Sequence, residues 1–355
     1  MDEIHPGGSA DYLLRSQPLP AGRADVTVVI PTFCDEKTLE TAARSALGQS
    51  LRDIELIIVD DASTDGTWPL IEKMIAADPR VNGIRHKTNS GKSLGMNHAI
   101  THARGDWLAV LDADDRYHLE RLETLLRLAK RTGADMVSDN QSFYDAMADC
   151  VVGTAWPPGD GAWQLSFDNF LEGSNAYETF NLGMLKPVIS VDFMRRTGLS
   201  YEVRARHGQD FFHLLSFFML GGRAAVSDAP HYFYTQPFGM VSRQWSHTRR
   251  KRYDFQNACD INARYLAEAE TLLTPYQFSL LAARNQRLEM LEYYYRAKES
   301  AMAGDYRSAF VQLFEHPRML GYLFHRVYGR LRENPAFFTI LHGLSERSRL
   351  GTHDA

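Results

Sequence analysis

DVTVVIPTF, residues 25–33, is apolar on successive positions and then reaches a proline, Pro31, and the polar Thr32. A strand with one wet face would alternate polar and apolar residues. A β-branched run without alternation belongs to a strand covered on both faces, as in a parallel sheet. The chain that follows keeps to this plan. Leu39, Ala42, Ala43, Ala46 and Leu47 recur at the spacing of one helical face, with Asp35 or Thr38 placed to cap its start. DIELIIVDD (53–61) is a second buried strand ending in two aspartates, and ASTDGT leads into a helix with Leu70, Ile71, Met74 and Ile75 inward. GIRHK (83–87), DWLAVLDADD (106–115) and ADMVSDN (134–140) read as further strands, with helices between them. Such alternation predicts a parallel α/β sheet with flanking helices.

Beyond this region PVISVDFMRRTG (187–198) predicts a strand and a short helix stopped by Gly198. GQDFFHLLSFFML (208–220) predicts a helix with Asp210 in its first turn, and AAVSDAPHYFYTQ (224–236) an edge strand that tolerates Pro230. From 246 onward the composition turns basic, aromatic and helical. Three segments are expected: a flexible N-terminal arm (1–24), an α/β domain (25–245) and a helical C-terminal region (246–355).

Among 355 residues the net charge of −5 gives no global pull toward nucleic acid. Cys34, Cys150 and Cys259 share no motif spacing, which argues against a zinc site or a disulfide framework and for a reducing, cytoplasmic setting. The first residues lack the basic start and apolar core of a signal peptide, and no run approaches the ~18 apolar residues of a spanning helix.

In a doubly wound sheet, ligands bind beyond the carboxyl ends of the strands. Four such ends here are polar: Pro31-Thr32-Phe33, Asp60-Asp61, the Asn89–Lys92 loop, and Asp112-Ala113-Asp114-Asp115. In extended chain Asp112 and Asp114 point to one side, so their carboxylates can share a hard cation, Mn2+ or Mg2+. The plain alternative is a solvated turn with Asp115 capping the next helix. Asp61, an acceptor-only carboxylate, suits the N–H of a base, or merely a turn. Lys92 suits a phosphate, or merely solvent. His86 breaks the Walker A pattern, and PTFCDEKT lacks the glycines of a dinucleotide loop.

VTVVIPTFCDEKTLETAARSALGQS, IELIIVDDASTDGT, NSGKSLGMNHAI and GDWLAVLDADD, in that order, resemble family 2 glycosyltransferases of the GT-A fold over about residues 25–240, nearest to bacterial exopolysaccharide enzymes of the succinoglycan type. The resemblance implies that Pro31, Thr32 and Phe33 line a nucleotide pocket and that Asp61 holds the uracil edge. It implies that Asp112 and Asp114 form the D-x-D motif, Asp114 binding the metal and Asp112 lying near ribose and metal with Ala113 between them. Asp210, in GQD, takes the place of the family's base, while His231, Tyr234 and Ser242 fall in its closing segment. The implied reaction is inverting transfer from a UDP-sugar, such as UDP-glucose, to a glycan acceptor. Three positions depart from the pattern: Cys34 replaces an Asn, Met96 an Arg, and Gln209 an acid. Two other readings stay open, a metal-dependent nucleotidyltransferase and a degenerate transferase kept as an assembly partner. The basic RRKR (249–252) and YLFHRVYGRLRENPAFF (322–338) leave open whether the C-terminal helices rest on anionic lipid beside a lipid-linked acceptor or only cap the domain.

Overall fold

The computed structural model describes residues 2–3, 12–15, 24–176, 180–235, 255–269 and 271–316. The strand expected at 25–33 is β3 (Val26–Thr32), following two N-terminal strands, β1 (Asp2–Glu3) and β2 (Tyr12–Arg15). Within the stretch expected to be a flexible arm, β2 thus pairs antiparallel with β5 (Val81–His86), satisfying an edge that would otherwise face solvent. β4 (Ile54–Asp60) and β6 (Trp107–Val110) flank β3 in parallel, and β4 also pairs β5 in parallel. β11 (Val188–Ser190) is antiparallel between β6 and β8 (Met136–Asp145). The sheet path among the described residues is β1-β2-β5-β4-β3-β6-β11-β8-β12-β10, with β10 Ala162–Leu165 and β12 Ala224–Thr235. Two short strands sit off it, β7 (Arg116–Tyr117) on β12 and β9 (Cys150–Thr154) on β8.

β12 corrects the edge-strand expectation. It is parallel to β8 on one side and antiparallel to β10 and β7 on the other. Pro230 is tolerated because the register with β8 breaks between Ser227 and Tyr232, where a missing N–H costs no ladder bond.

Alternate residues of β3 divide the core. Val28 and Ile30 face α1 (Leu39–Leu47), α2 (Thr67–Ala77) and α4 (Arg121–Thr132). Val29 faces a second layer that includes Met96 of α3 (Lys92–His102), Phe193 of α6 (Val191–Thr197) and Phe211 of α7 (Gln209–Met219). The short α5 (Phe167–Glu172) adds Phe170 to that layer. The first five residues of β3, Val26 to Ile30, are all buried, as its unbroken apolar run predicted, and Pro31 is half-buried.

The C-terminal helices α8 (Phe255–Glu268) and α9 (Pro275–Met302) bury Phe255, Ala258, Ile261, Leu281 and Leu288 in the same cluster as α7. α9 begins with a reciprocal capping box between Thr274 and Gln277, with Pro275 just inside. α10 (Tyr306–Glu315) follows a turn at Gly304. No helix among the described residues is long and apolar enough to cross a membrane. RRKR, the 322–338 stretch, Ser242 and the expected boundary near 245 lie outside the described residues.

Candidate active site at the carboxyl ends of the parallel strands

Strand order reverses at β3: the chain goes next to β4 and β5 on one side, then returns to β6 on the other. A crevice opens at such a reversal because the two connections leave in opposite directions. Thr32 closes β3 there and Asp112 follows β6.

β6 stops at Val110, sooner than expected. Residues 112–115 form a turn closed by the Asp115 N–H donating to the Asp112 carbonyl at 3.1 Å. The same-side argument for Asp112 and Asp114 in extended chain therefore does not hold. Asp112 turns inward, while Asp114 is exposed at the rim. Asp115 is no helix cap. It is 3% exposed and accepts from the Tyr232 hydroxyl at 2.6 Å and the Thr235 N–H at 2.7 Å. Tyr232 in turn accepts from the Asp112 N–H at 3.2 Å, which fixes the turn against β12.

Asp112 sits in a four-membered ionic cluster. Lys92, the first residue of α3, places Nζ 2.8 Å from Asp112 Oδ1 and 3.1 Å from Asp210 Oδ1. Lys186 places Nζ 2.7 Å from Asp112 Oδ2 and 2.6 Å from Asp210 Oδ2. Burial pushes the carboxyl of Asp112 up, but the ammonium groups of Lys186 and Lys92 outweigh it and hold Asp112 below the usual range. The same balance holds Asp210 down. Asp210 stands in the first turn of α7, where the helix N-terminus also favours its charge.

Asp114 behaves in the opposite way. Desolvation in the cleft raises its carboxyl to about 6, helped by the charges of Asp112 and Asp35. Because the residue is exposed, the two neighbouring charges carry most of the physical weight. A hard cation suits a carboxylate in this state, and among the described residues no three His, Cys, Asp or Glu side chains converge on one point. Such a site would take one or two carboxylates and complete its shell from water and ligand oxygens, a set that fits Mg2+ or Mn2+. Asp112 would have to release an ammonium to join it.

Asp61 is 7% exposed and already engaged. Its Oδ1 accepts from the Ser90 N–H at 2.8 Å and lies 2.8 Å from His86 Nδ1, and its Oδ2 accepts from the Gly91 N–H at 2.8 Å. Asn89 donates to the Asp61 carbonyl at 3.3 Å. Asp61 therefore ties the loop that delivers Lys92, and Gly91 can follow that path because its φ of +91° excludes most side chains. Thr32 is buried beside it, Pro31 and Phe33 are half-buried, Ala113 is buried and Asn89 is exposed. Cys34 has φ +58°, a left-handed conformation in which Asn is common. His231 stacks on His118 with ring centroids 4.4 Å apart, the packed setting that is the plain reading of a His in such a strand. Tyr234 packs edge-on to Phe143.

Lys186, Tyr232 and Arg121 went unread in the sequence. Lys186 had one visible signal, a lone charge in NLGMLKPVIS between apolar residues. It is 5% exposed, and its carbonyl accepts from Arg121 Nη2 at 2.6 Å. Arg121, fully buried, grips Asp139 through two bonds of 2.8 Å.

Glycosyl transferase family 2 matches residues 27–152. The succinoglycan biosynthesis protein ExoO of Rhizobium meliloti is 31% identical over 62% of this chain and 63% of its own length. ExoU of the same organism is 29% identical over 54% of this chain and 56% of its own length. The chain thus spans less than two thirds of these relatives. In fold it is similar to S. aureus TarS residues 1–349 in complex with UDP-GlcNAc (TM-score 0.55, 16% identity, 83% of this chain and 91% of that one). It is also similar to the mannosyltransferase PcManGT of Pyrobaculum calidifontis in complex with GDP-Man and Mn2+ (TM-score 0.53, 16% identity, 91% and 85%). The family 2 glycosyltransferase match thus takes in Asp61, Lys92 and Asp112–Asp114, and the sheet that carries them is of GT-A type.

Proposed function

We propose that the protein transfers a sugar, with inversion, from a nucleoside diphosphate sugar to a hydroxyl of a growing polysaccharide or oligosaccharide. The observation that carries this is the meeting of Lys92, Asp112 and Asp210 at the reversal of strand order, with Asp114 at its rim. The names of the relatives support an exopolysaccharide setting. The titles of the structural neighbours support a nucleotide-linked donor, a UDP-sugar first and a GDP-sugar second.

Asp114, with Asp112, would hold a divalent cation, which supplies charge stabilisation to the departing diphosphate. Thr32, Phe33 and the 89–91 loop border the space for the nucleoside, and Pro31 and Ala113 shape its floor. Lys92, on a flexible stem and 22% exposed at its side chain, can leave the carboxylates for a phosphate oxygen. Asp210 is held ionised and so is ready to accept a proton. It takes that proton from the acceptor hydroxyl as the oxygen attacks the anomeric carbon, and the C–O bond to the diphosphate breaks. One displacement inverts the anomeric centre.

The test is a panel of UDP-glucose, UDP-galactose, UDP-N-acetylglucosamine and GDP-mannose with Mn2+, read by donor turnover and thermal stabilisation. Asp210→Asn should lower turnover by about 100-fold or more while the stabilisation persists. Asp114→Asn should abolish the part of the stabilisation that depends on metal. Undiminished turnover by Asp210→Asn overturns the assignment of the base.

A further inference from the structure

The two lysines of the cluster share the same partners but not the same mechanical situation. Lys92 starts a helix that is reached through a glycine-containing loop, and its side chain is 22% exposed. Lys186 is 5% exposed, between a 3-10 turn (Leu182–Met184) and β11, and its carbonyl is clamped by Arg121. Pro187 follows it and restricts its backbone further. An ammonium so enclosed has no water to turn to. Releasing either carboxylate would leave a buried charge short of a partner.

We propose that Lys186 is a positioning residue that holds Asp210 at a set distance from Asp112 through the catalytic cycle, while Lys92 is the lysine that changes partners. This rests on the reading of Asp210 as the base. Lys186 joins α7, which carries that base, to the turn after β6, which carries the donor-side acid. Without this strut α7 would face Asp112 with a carboxylate opposite a carboxylate, and their repulsion would open the site. Lys92 alone could not oppose that repulsion once a diphosphate had claimed it.

Lys186→Met keeps most of the volume and removes the charge, and Lys186→Arg keeps the charge and disturbs the packing. Both are compared with the unaltered protein on whichever donor of the panel it turns over. Misplacing a reacting group by about 1 Å costs on the order of 100-fold in rate, so Lys186→Met should lose about that much kcat. Its KM for the donor should stay within about threefold, because Lys186 does not bind the donor. Lys186→Arg should recover kcat to within about tenfold of the unaltered protein. Lys92→Met should show the opposite split, with the larger change in KM. A purely packing role predicts that Met serves at least as well as Arg, and that result overturns the proposal.

Thermal melting supplies a readout free of turnover. Lys186→Met should lower Tm, and adding Asp210→Asn should restore part of the loss, because one of the unbalanced carboxylates is then gone. Losses that simply add overturn the strut. If Asp210→Asn kills turnover and Lys186→Met leaves kcat intact, the strut fails and the base assignment survives. If Asp210→Asn leaves turnover intact, or no donor is turned over by the unaltered protein, the underlying reading fails and takes the strut with it.

Discussion

Arg121→Met tests the foundation of the site. The guanidinium is fully buried and bidentate to Asp139, which is 1% exposed, and it also serves the Lys186 carbonyl. It lies over the rings of Tyr117 and Tyr232, 4.3 and 5.1 Å from their centroids. Met fills most of the volume, so little of the cost is a cavity. The main cost is a buried carboxylate left without a cation, roughly 3–5 kcal/mol. An orphaned carbonyl adds about 1–3 kcal/mol, although the two do not add fully. A loss of about 4–6 kcal/mol is expected in urea unfolding followed by far-UV circular dichroism. The double substitution Arg121→Met with Asp139→Leu removes the stranded charge and should recover about 3 kcal/mol, leaving the carbonyl as the residual cost. A single-variant loss under about 1 kcal/mol, or a double variant no better than the single, would refute this account of the site's support.

His213 is 1% exposed, stacked on Tyr201, and burial lowers its imidazole to about 4. Its folded value lies below its unfolded one, so the unfolded chain binds the extra proton. The stability it contributes is complete above about pH 6.5 and is lost as pH falls toward 4, at most about 3 kcal/mol. Urea midpoints between pH 7 and 4.5 should flatten in His213→Phe; an unchanged slope refutes the assignment. Asp61→Ala removes two backbone N–H acceptors and the His86 contact, which should cost about 3 kcal/mol in all. Amide exchange at Ser90 and Gly91 should quicken, and donor affinity should fall with it; protection equal to that of the unaltered protein would show that Asp61 does not hold the loop.

The strands of the parallel half were legible because their apolar runs reflect a purely local demand, cover on both faces. Their observed limits fall within a few residues of expectation, as with β4 against 53–61 and α7 against 208–220. DADD was misread in detail: a turn replaced the extended chain, and Asp115 proved to be a buried acceptor. Both errors share a cause. The partners that settle these conformations, Tyr232 and Thr235, lie on β12, more than a hundred positions away.

Lys92, Asp112 and Asp210 could each be singled out from their local setting, a strand end or the first turn of a helix. Nothing in their spacing said that one ammonium would reach both acids, across 118 positions in the case of Lys92 and Asp210. Lys186 had even less to mark it, since a lysine between apolar residues is ordinary until its neighbours are known. The sequence by itself determined the alternating plan of strands and helices and the polar ends of the strands, because burial pattern and turn chemistry act over a few residues. Only the tertiary structure decided which charges neutralise one another. Coulomb energy depends on distance through space and on exclusion of water, and both are set by the path of the whole chain.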